Sequence, residues 1–422
     1  MSEKVALFGG TFNPPHAGHA RAFRTFCEKV CPDVVYVMPA SVPPHKEISG
    51  IVNPAARFHM AHLALDDISE NAVFSALEIS RRGKSFSVDT VNELLSLHDC
   101  DKIYMYVGSD MLFYFEKWKD FEILFKKCVL VTAPRCEADR EAVEKCCREY
   151  AEKYHCQYMI LPLLPIEVSS TEIRDMAKKG NESEIKKHLT DGVYRYIMKT
   201  KLYGEKNLCS DISSPDLIEN IRSSLALYLS QKRMAHTLSV EKTALEMAQI
   251  FLPLFGYGEE YHRDVAAAAL LHDITKNRPD EWHESYLSSF MRNFGNHPSV
   301  IHSWSGAYFA LENFFVNPRV FRAIFNHTTG CADMDVFEKL IFLADYIEPG
   351  RVHSSCVLLR EKYLNLTKDG VSDREHAEKI LDSLVYRSLC DTLAFLTEKG
   401  ANICPKLFEA KEYLEKKECV RI

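Results

Sequence analysis

Apolar residues over the first 200 positions fall in short blocks separated by stretches of helical spacing. Val5–Phe8, Val34–Met38, Val73–Ile79, Ile103–Val107, Cys128–Thr132 and Tyr158–Leu161 have the length and side chains of strands. Gly18–Val30, Ala55–Leu65 and Val88–Leu97 repeat apolar residues as helices do. The alternation predicts a mostly parallel sheet with helices on both faces, an architecture that binds ligands beyond the carboxyl ends of its strands.

Beyond Pro215 the strand-like runs nearly vanish. Leu217–Leu229, Ala235–Leu254, Arg263–His272, Val300–Phe315, Pro318–Phe325 and Val336–Ala344 keep helical spacing, which predicts an all-α region. Lys199–Pro215 mixes Lys, Gly, Asn, Asp, Ser and Pro as linkers do. The expected division is therefore an α/β domain over 1–200, a linker over 201–216 and a helical bundle over 217–405. An amphipathic C-terminal extension over 406–422 follows, with its helix at Lys406–Lys417.

A chain of 422 residues suits two cores rather than one. A net charge of −7 argues against a broad nucleic-acid footprint while leaving room for a local anion pocket. No stretch approaches the roughly 18 apolar residues of a membrane span, and Met1–Val5 lacks a secretory pattern. The 14 cysteines are scattered, and the loose Cys27–Cys31 pair lacks a second half-site, so helix-packing thiols in a reducing cytoplasm are expected. A homo-oligomer is compatible with all of this.

Gly9 and Gly10 end the first strand and let the backbone turn close to a ligand. The helix that follows offers unpaired N–H groups and a positive dipole end to phosphate. His16 and His19, three apart at its entrance, can reach the same anion, and Thr11, Asn13 and two prolines converge there. Ser169–Thr171 before Glu172 is a second helix start, suited to capping and to phosphate alike.

These segments resemble the HxGH nucleotidyltransferase superfamily and, within it, nicotinate mononucleotide adenylyltransferases. The resemblance rests on Gly9–His19 (GGTFNPPHAGH) and Pro43-Pro44-His45-Lys46, followed by Arg57. It continues through Gly83, Ser85, Phe86, Asp89 and Thr90, with Ser87 where threonine is usual, and then Gly108-Ser109-Asp110 and Trp118. It ends on Val168-Ser169-Ser170-Thr171-Glu172-Ile173-Arg174 and covers roughly residues 3–198.

The resemblance implies a Rossmann-like fold and attack of a mononucleotide phosphate on the α-phosphorus of ATP, with Mg²⁺ arriving on the ATP. His16, His19 and Lys46 are the implied catalytic groups. Gly9, Gly10, Thr11, Phe12, His45, Arg57, Ser85, Thr90, Gly108, Ser109, Asp110, Trp118, Ser169, Ser170, Thr171 and Arg174 are the implied substrate contacts. Trp118 is expected to stack near the pyridine ring, and Asp110 to act as a ligand or turn-fixing carboxylate. A nicotinate carboxylate is expected to be read near Thr90, Ser109 and Trp118.

In the second half His236, His272-Asp273, His302, His327 and Asp345 are separated, from one histidine or aspartate position to the next, by 36, 30, 25 and 18 residues counted from His272. That is no zinc-finger spacing, but it is compatible with metal ligation between bundle helices. Asp273 follows an apolar run, where a charge is costly unless paired or bound to a cation.

The stretches KRMAHTLSVEKTA, ALLHDITK, IHSWSGAYFA, IFNHTTG and FEKLIFLADYIEPGR resemble HD-domain phosphohydrolases, specifically symmetrical diadenosine tetraphosphate hydrolases, over Ile221–Leu396. The resemblance implies that His236, His272, Asp273, His302, His327 and Asp345 hold two metals, with Asp273 as bridge and catalytic centre. Iron is favoured, and manganese and zinc suit the same mixed N/O ligands. Two metals can activate a water and clamp a phosphate, with Lys276 as a phosphate contact. Arg351 is placed for phosphate or for an ion pair with Glu348, and Thr328 and Thr329 for the mouth of the site.

Ser303 stands where the family usually has glycine, and Asn277–Ser299 is longer than a minimal loop and suits part of a lid. The implied partners are ATP, nicotinate mononucleotide and diadenosine tetraphosphate. The alternatives are a helical domain that hydrolyses another nucleotide or phosphate ester, or one that is a metal-stabilised regulatory module. No arginine-rich or aromatic-basic array supports a nucleic-acid hydrolase.

Overall fold

The computed structural model describes residues 2–42, 51–164, 168–203, 215–291 and 297–417. Two compact units divide the chain, one comprising Met1–Ser210 with Ser288–Arg292, the other Asp211–Leu287 with Asn293–Ile422.

The first unit is an α/β Rossmann-like fold. Its strands are β1 (Val5–Gly10), β2 (Val34–Pro39), β3 (Ala72–Phe74), β4 (Ile103–Tyr106), β5 (Cys128–Thr132) and β6 (Gln157–Ile160). They pair in the order β3-β2-β1-β4-β5-β6, and every pairing is parallel. Both faces are covered, so β2 is buried at all six positions and reads as an unbroken apolar run. The order reverses between β1 and β4. A crevice opens there at the strands' carboxyl ends, with Gly9-Gly10 on one lip and Gly108 on the other.

Val73–Ile79 departs from the single expected strand. β3 stops at Phe74, the Leu77 N–H donates to Ser75 Oγ at 3.2 Å, and the chain turns into a short helix at Leu77–Ser80. Periodicity does not register a serine side chain taking over a backbone donor. The 18-residue helix Glu137–Tyr154 also lies outside the expected elements, because it buries only Val143, Cys147 and Tyr150 and its apolar signal is thin. The Cys27–Cys31 pair closes a helix: Cys31 is left-handed and its N–H donates to Cys27 O.

The second unit is all-α among its described residues. Val336–Ile347 is its most enclosed helix, with ten of twelve residues buried, and it starts on a capping box between Asp335 and Glu338. Gln231–Phe251, Pro318–Asn326 and Arg374–Glu398 pack against it. The helix His262–Leu271 ends just before His272-Asp273. The interval expected to be a lid contains the helix Asp280–Ser288, whose His283 is 2% exposed and bonded through Nδ1 to Ser305 Oγ at 2.7 Å. The C-terminal helix, Pro405–Lys416, buries Leu407, Ala410 and Leu414. No described helix is long and apolar enough to cross a membrane.

Candidate functional site

The crevice of the first unit is a cleft of about 620 Å³. It is lined by Gly9, Gly10, Thr11, His16 and His19, by Ser85–Ser87, Gly108, Asp110 and Trp118, and by Ser169–Glu172. His16 caps the helix Ala17–Val30, its Nδ1 accepting from Gly18 N at 3.2 Å, while His19 Nδ1 accepts from His16 N at 3.3 Å. Because both Nδ1 atoms accept, each neutral ring must carry its proton on Nε2. The rings lie 4.0 Å apart, so two N–H donors stand side by side at a helix N-terminus. Burial, then the Arg135 charge, push His16 down to about 4, so it is a neutral donor near pH 7.

Ser169 heads a second helix N-terminus in the same cleft. Its Oγ accepts from Glu172 N at 3.2 Å, and Glu172 returns a bond to Ser169 N at 2.7 Å. Gly10 has no room for a side chain, since a Cβ there would lie 3.0 Å from the Phe12 ring. A Cβ at Gly108 would meet Asp110 Oδ1 at 2.9 Å.

In the second unit, four imidazoles surround Asp273. Its Oδ2 lies 3.5 Å from His272 Nε2 and 3.9 Å from His236 Nε2, and its Oδ1 lies 3.3 Å from His302 Nε2 and 3.8 Å from His327 Nε2. The carboxylate thus divides its oxygens between two imidazole pairs. His236, His272 and Asp345 form one group of potential ligands, and His272, Asp273 and His327 another.

Three rings are oriented from behind. His272 Nδ1 bonds Ala269 O at 2.6 Å, His327 Nδ1 bonds Ile324 O at 2.7 Å, and His236 Nδ1 faces Glu348 Oε1 at 3.1 Å. Those bonds leave the Nε2 lone pairs pointing inward. The buried Nε2 atoms of His236 and His272 have no hydrogen-bond partner, although His236 Nε2 is 3.0 Å from Asp345 Oδ1. Orphaned acceptors beside carboxylates fit a cation.

The electrostatics agree. Burial pushes the Asp273 carboxyl up, but His272, His302 and His327 together hold it well below the usual range. Burial, then Lys276, hold His302 well below its usual value. Burial and His272 take His327 to about 4. His272 goes the other way, since burial is outweighed by Asp273 and Asp345, as expected of a position that calls for positive charge.

A Lachnoclostridium phytofermentans protein named as a probable nicotinate-nucleotide adenylyltransferase is 32% identical over 200 residues, spanning 47% of this chain and 98% of its own. A Caldicellulosiruptor saccharolyticus protein of the same name is 33% identical, spanning 48% and 100%. The chain belongs to the nicotinate-nucleotide adenylyltransferase family. A cytidylyltransferase-like family model matches residues 7–176, and an HD domain model matches residues 233–350. A solved structure described as a predicted HD superfamily hydrolase involved in NAD metabolism, from Clostridium acetobutylicum, is 27% identical. It covers 47% of this chain and 97% of its own, with a TM-score of 0.40.

Within the adenylyltransferase half, several motif residues expected to touch substrate support the cleft from behind. Arg57 is fully buried and donates to the carbonyls of Val52, Thr11, Ala40 and Ser41, fastening the loops on either side. Thr90 is buried against Glu78 Oε1 at 2.8 Å, and Ser109 is 2% exposed; neither lines the cleft. Arg174 donates to Asn13 O and Ser170 Oγ to Pro14 O, so both tie the second helix to the glycine loop. Phe12 packs beneath Gly10. Asp110 fixes its turn, accepting from Met111 N and pairing with Arg135 at 3.0 Å. His45 and Lys46 lie outside the described residues.

In the second unit, Lys276 Nζ is 2.9 Å from His302 Nδ1. Arg351 pairs with Asp345, not Glu348, which instead accepts from Ser239 Oγ at 2.7 Å and faces His236. Ser303 is fully buried and its Oγ donates back to Val300 O. Thr328 Oγ1 approaches His302 at 3.4 Å, whereas Thr329 is buried and bonds Gly330 O. The motifs did not single out Arg135, Lys119, Glu78, Arg233 or the Glu348–His236 contact. Arg233, three residues before His236 and so on the same helix face, was the one with a usable spacing signal; its NH1 lies 2.7 Å from Asp273 Oδ2.

Proposed function

We propose that the first domain transfers AMP from ATP to nicotinate mononucleotide, giving nicotinate adenine dinucleotide and pyrophosphate. The paired Nε2–H donors of His16 and His19 carry this reading, since they face a cleft that also receives the helix N-terminus at Ser169. A phosphate oxygen of the mononucleotide bonds to the α-phosphorus of ATP, and the bond from that phosphorus to the β-bridging oxygen breaks. The two imidazoles donate to the oxygens on which negative charge grows, and the helix ends hold the leaving pyrophosphate. Phosphate is already a competent nucleophile, so no general base is required. ATP brings Mg²⁺ with it, and the family resemblance assigns Lys46 to the incoming phosphate. The 422-residue chain should show higher kcat/KM with nicotinate mononucleotide than with its amide; the reverse order overturns this assignment.

The second domain, over 217–405, is read as a metal-dependent phosphohydrolase that cuts diadenosine tetraphosphate into two ADP. His236, His272, Asp273, His302, His327 and Asp345 would hold two metals. Such a centre supplies a polarised water and charge compensation for phosphate. Arg233, Lys276 and Arg351, clustered at the carboxylates, orient a polyphosphate chain, and the central P–O–P bridge breaks as water adds. The mixed N/O ligands suit iron, manganese or zinc, and iron is the metal put first. Chromatography giving ADP alone supports this register, and AMP with ATP rejects it.

A further inference from the structure

Lys119 places an ammonium in an aromatic part of the cleft. Among the described residues the cleft is lined by two permanent cations, Lys119 and Arg135. Arg135 is held by Asp110 and acts on His16, so it belongs to the phosphate end. Lys119 lies in an aromatic corner. It follows Trp118, its Nζ stands 4.7 Å over the Phe86 ring, and Phe86, Ser87, Trp118 and Lys119 all line the cleft. Trp118 is held by stacking on the buried Phe115, with centroids 4.8 Å apart.

The cleft must house two flat heterocycles. Adenine bears no charge, whereas nicotinate bears a carboxylate, so an aromatic corner with one ammonium suits the nicotinate. The ammonium is not consumed internally. It is 3.5 Å from both Asp89 oxygens, with both side chains well exposed (45% and 38%), which makes a weak pair. The helix Ser87–Leu97 adds to the attraction, because Phe86 at its N-cap makes no side-chain capping hydrogen bond and its positive end lies at Ser87.

We infer that Lys119 is a specificity residue that binds the pyridine carboxylate of the acceptor mononucleotide, and that Asp89 beside it would accept from an amide if Lys119 were neutral. This rests on the adenylyltransferase reading above. It shifts the discrimination from the buried Thr90 and Ser109 to an exposed ion pair.

The test compares kcat/KM for nicotinate and nicotinamide mononucleotides in the full chain and in its Lys119→Met, Lys119→Arg and Lys119→Met/Asp89→Ala variants, with KM for ATP measured in each. Lys119→Met should lower the acid-to-amide ratio roughly ten-fold or more while KM for ATP holds. Lys119→Arg should restore most of the ratio, and adding Asp89→Ala, which leaves no side-chain acceptor, should remove what the amide gained. An unchanged ratio in Lys119→Met, with the unsubstituted chain preferring the acid, overturns the role of Lys119 and leaves the domain's substrate intact. A preference for the amide in the unsubstituted chain overturns the substrate reading and this inference together.

Discussion

His272 and His327 stand nearly perpendicular, at 84°, with ring centroids 5.0 Å apart, and each is tied through Nδ1 to the carbonyl three residues before it. The backbone at two helix ends therefore sets both rings before any ion arrives. Their Nε2 atoms converge with Asp273, whose oxygens they approach at 3.5 and 3.8 Å.

Replacing Asp273 with alanine is expected to lower bound metal and to cut hydrolysis by about a thousand-fold or more, since one carboxylate serves both imidazole pairs. Adenylyl transfer in the same chain should persist. Elemental analysis with both assays checks this; full metal content with undiminished hydrolysis would refute it.

Glu348 is a positioning residue, 2% exposed, and meets His236 and Ser239 with different oxygens. Glu348→Gln should weaken metal affinity by about ten- to a hundred-fold, the usual effect of losing such a partner. Metal titration followed by equilibrium dialysis reads this directly, and unchanged affinity would show that His236 holds its orientation unaided.

Substituting His19 or His16 by alanine removes one of two preorganised donors. Transfer kcat/KM should fall by about a hundred-fold or more, with hydrolysis retained. Near-normal transfer by a folded His19→Ala protein would remove that residue from the chemistry.

Much of this was legible in the sequence, for reasons visible in individual residues. Parallel strands buried on both faces announce themselves as apolar runs, as β2 does, and the glycine loop and the HD doublet carry their chemistry in contiguous letters. What a linear motif does not separate is a residue that touches substrate from one that braces the loop that does. Arg57, Thr90, Ser109 and Arg174 stand in the motif beside His16 and His19, yet their donors are directed to carbonyls and carboxylates behind the cleft or their side chains are buried away from it. Lys119, Arg135 and Glu348 act through partners distant in sequence or through single charges, and neither leaves a pattern to read.

Acid should expose the burial of His16. Its native value of about 4 lies below the ordinary 6.5, so between those values the unfolded chain takes up the proton first. Native stability is therefore lost as pH falls from about 6.5 towards 4, by up to roughly 3 kcal/mol, and this contribution is flat above that window. His16→Gln should flatten that part of the profile. Thermal unfolding of both proteins across the window checks it, and identical slopes would contradict it.

The most direct test is one chromatographic run on the metal-loaded full chain given ATP, nicotinate mononucleotide and diadenosine tetraphosphate together, repeated with His19→Ala and Asp273→Ala. Two separate phosphate chemistries on one chain predict that nicotinate adenine dinucleotide and ADP both accumulate, that His19→Ala loses only the dinucleotide, and that Asp273→Ala loses only the ADP. An unsubstituted chain that forms no dinucleotide, or a single substitution that abolishes both products, would contradict the account.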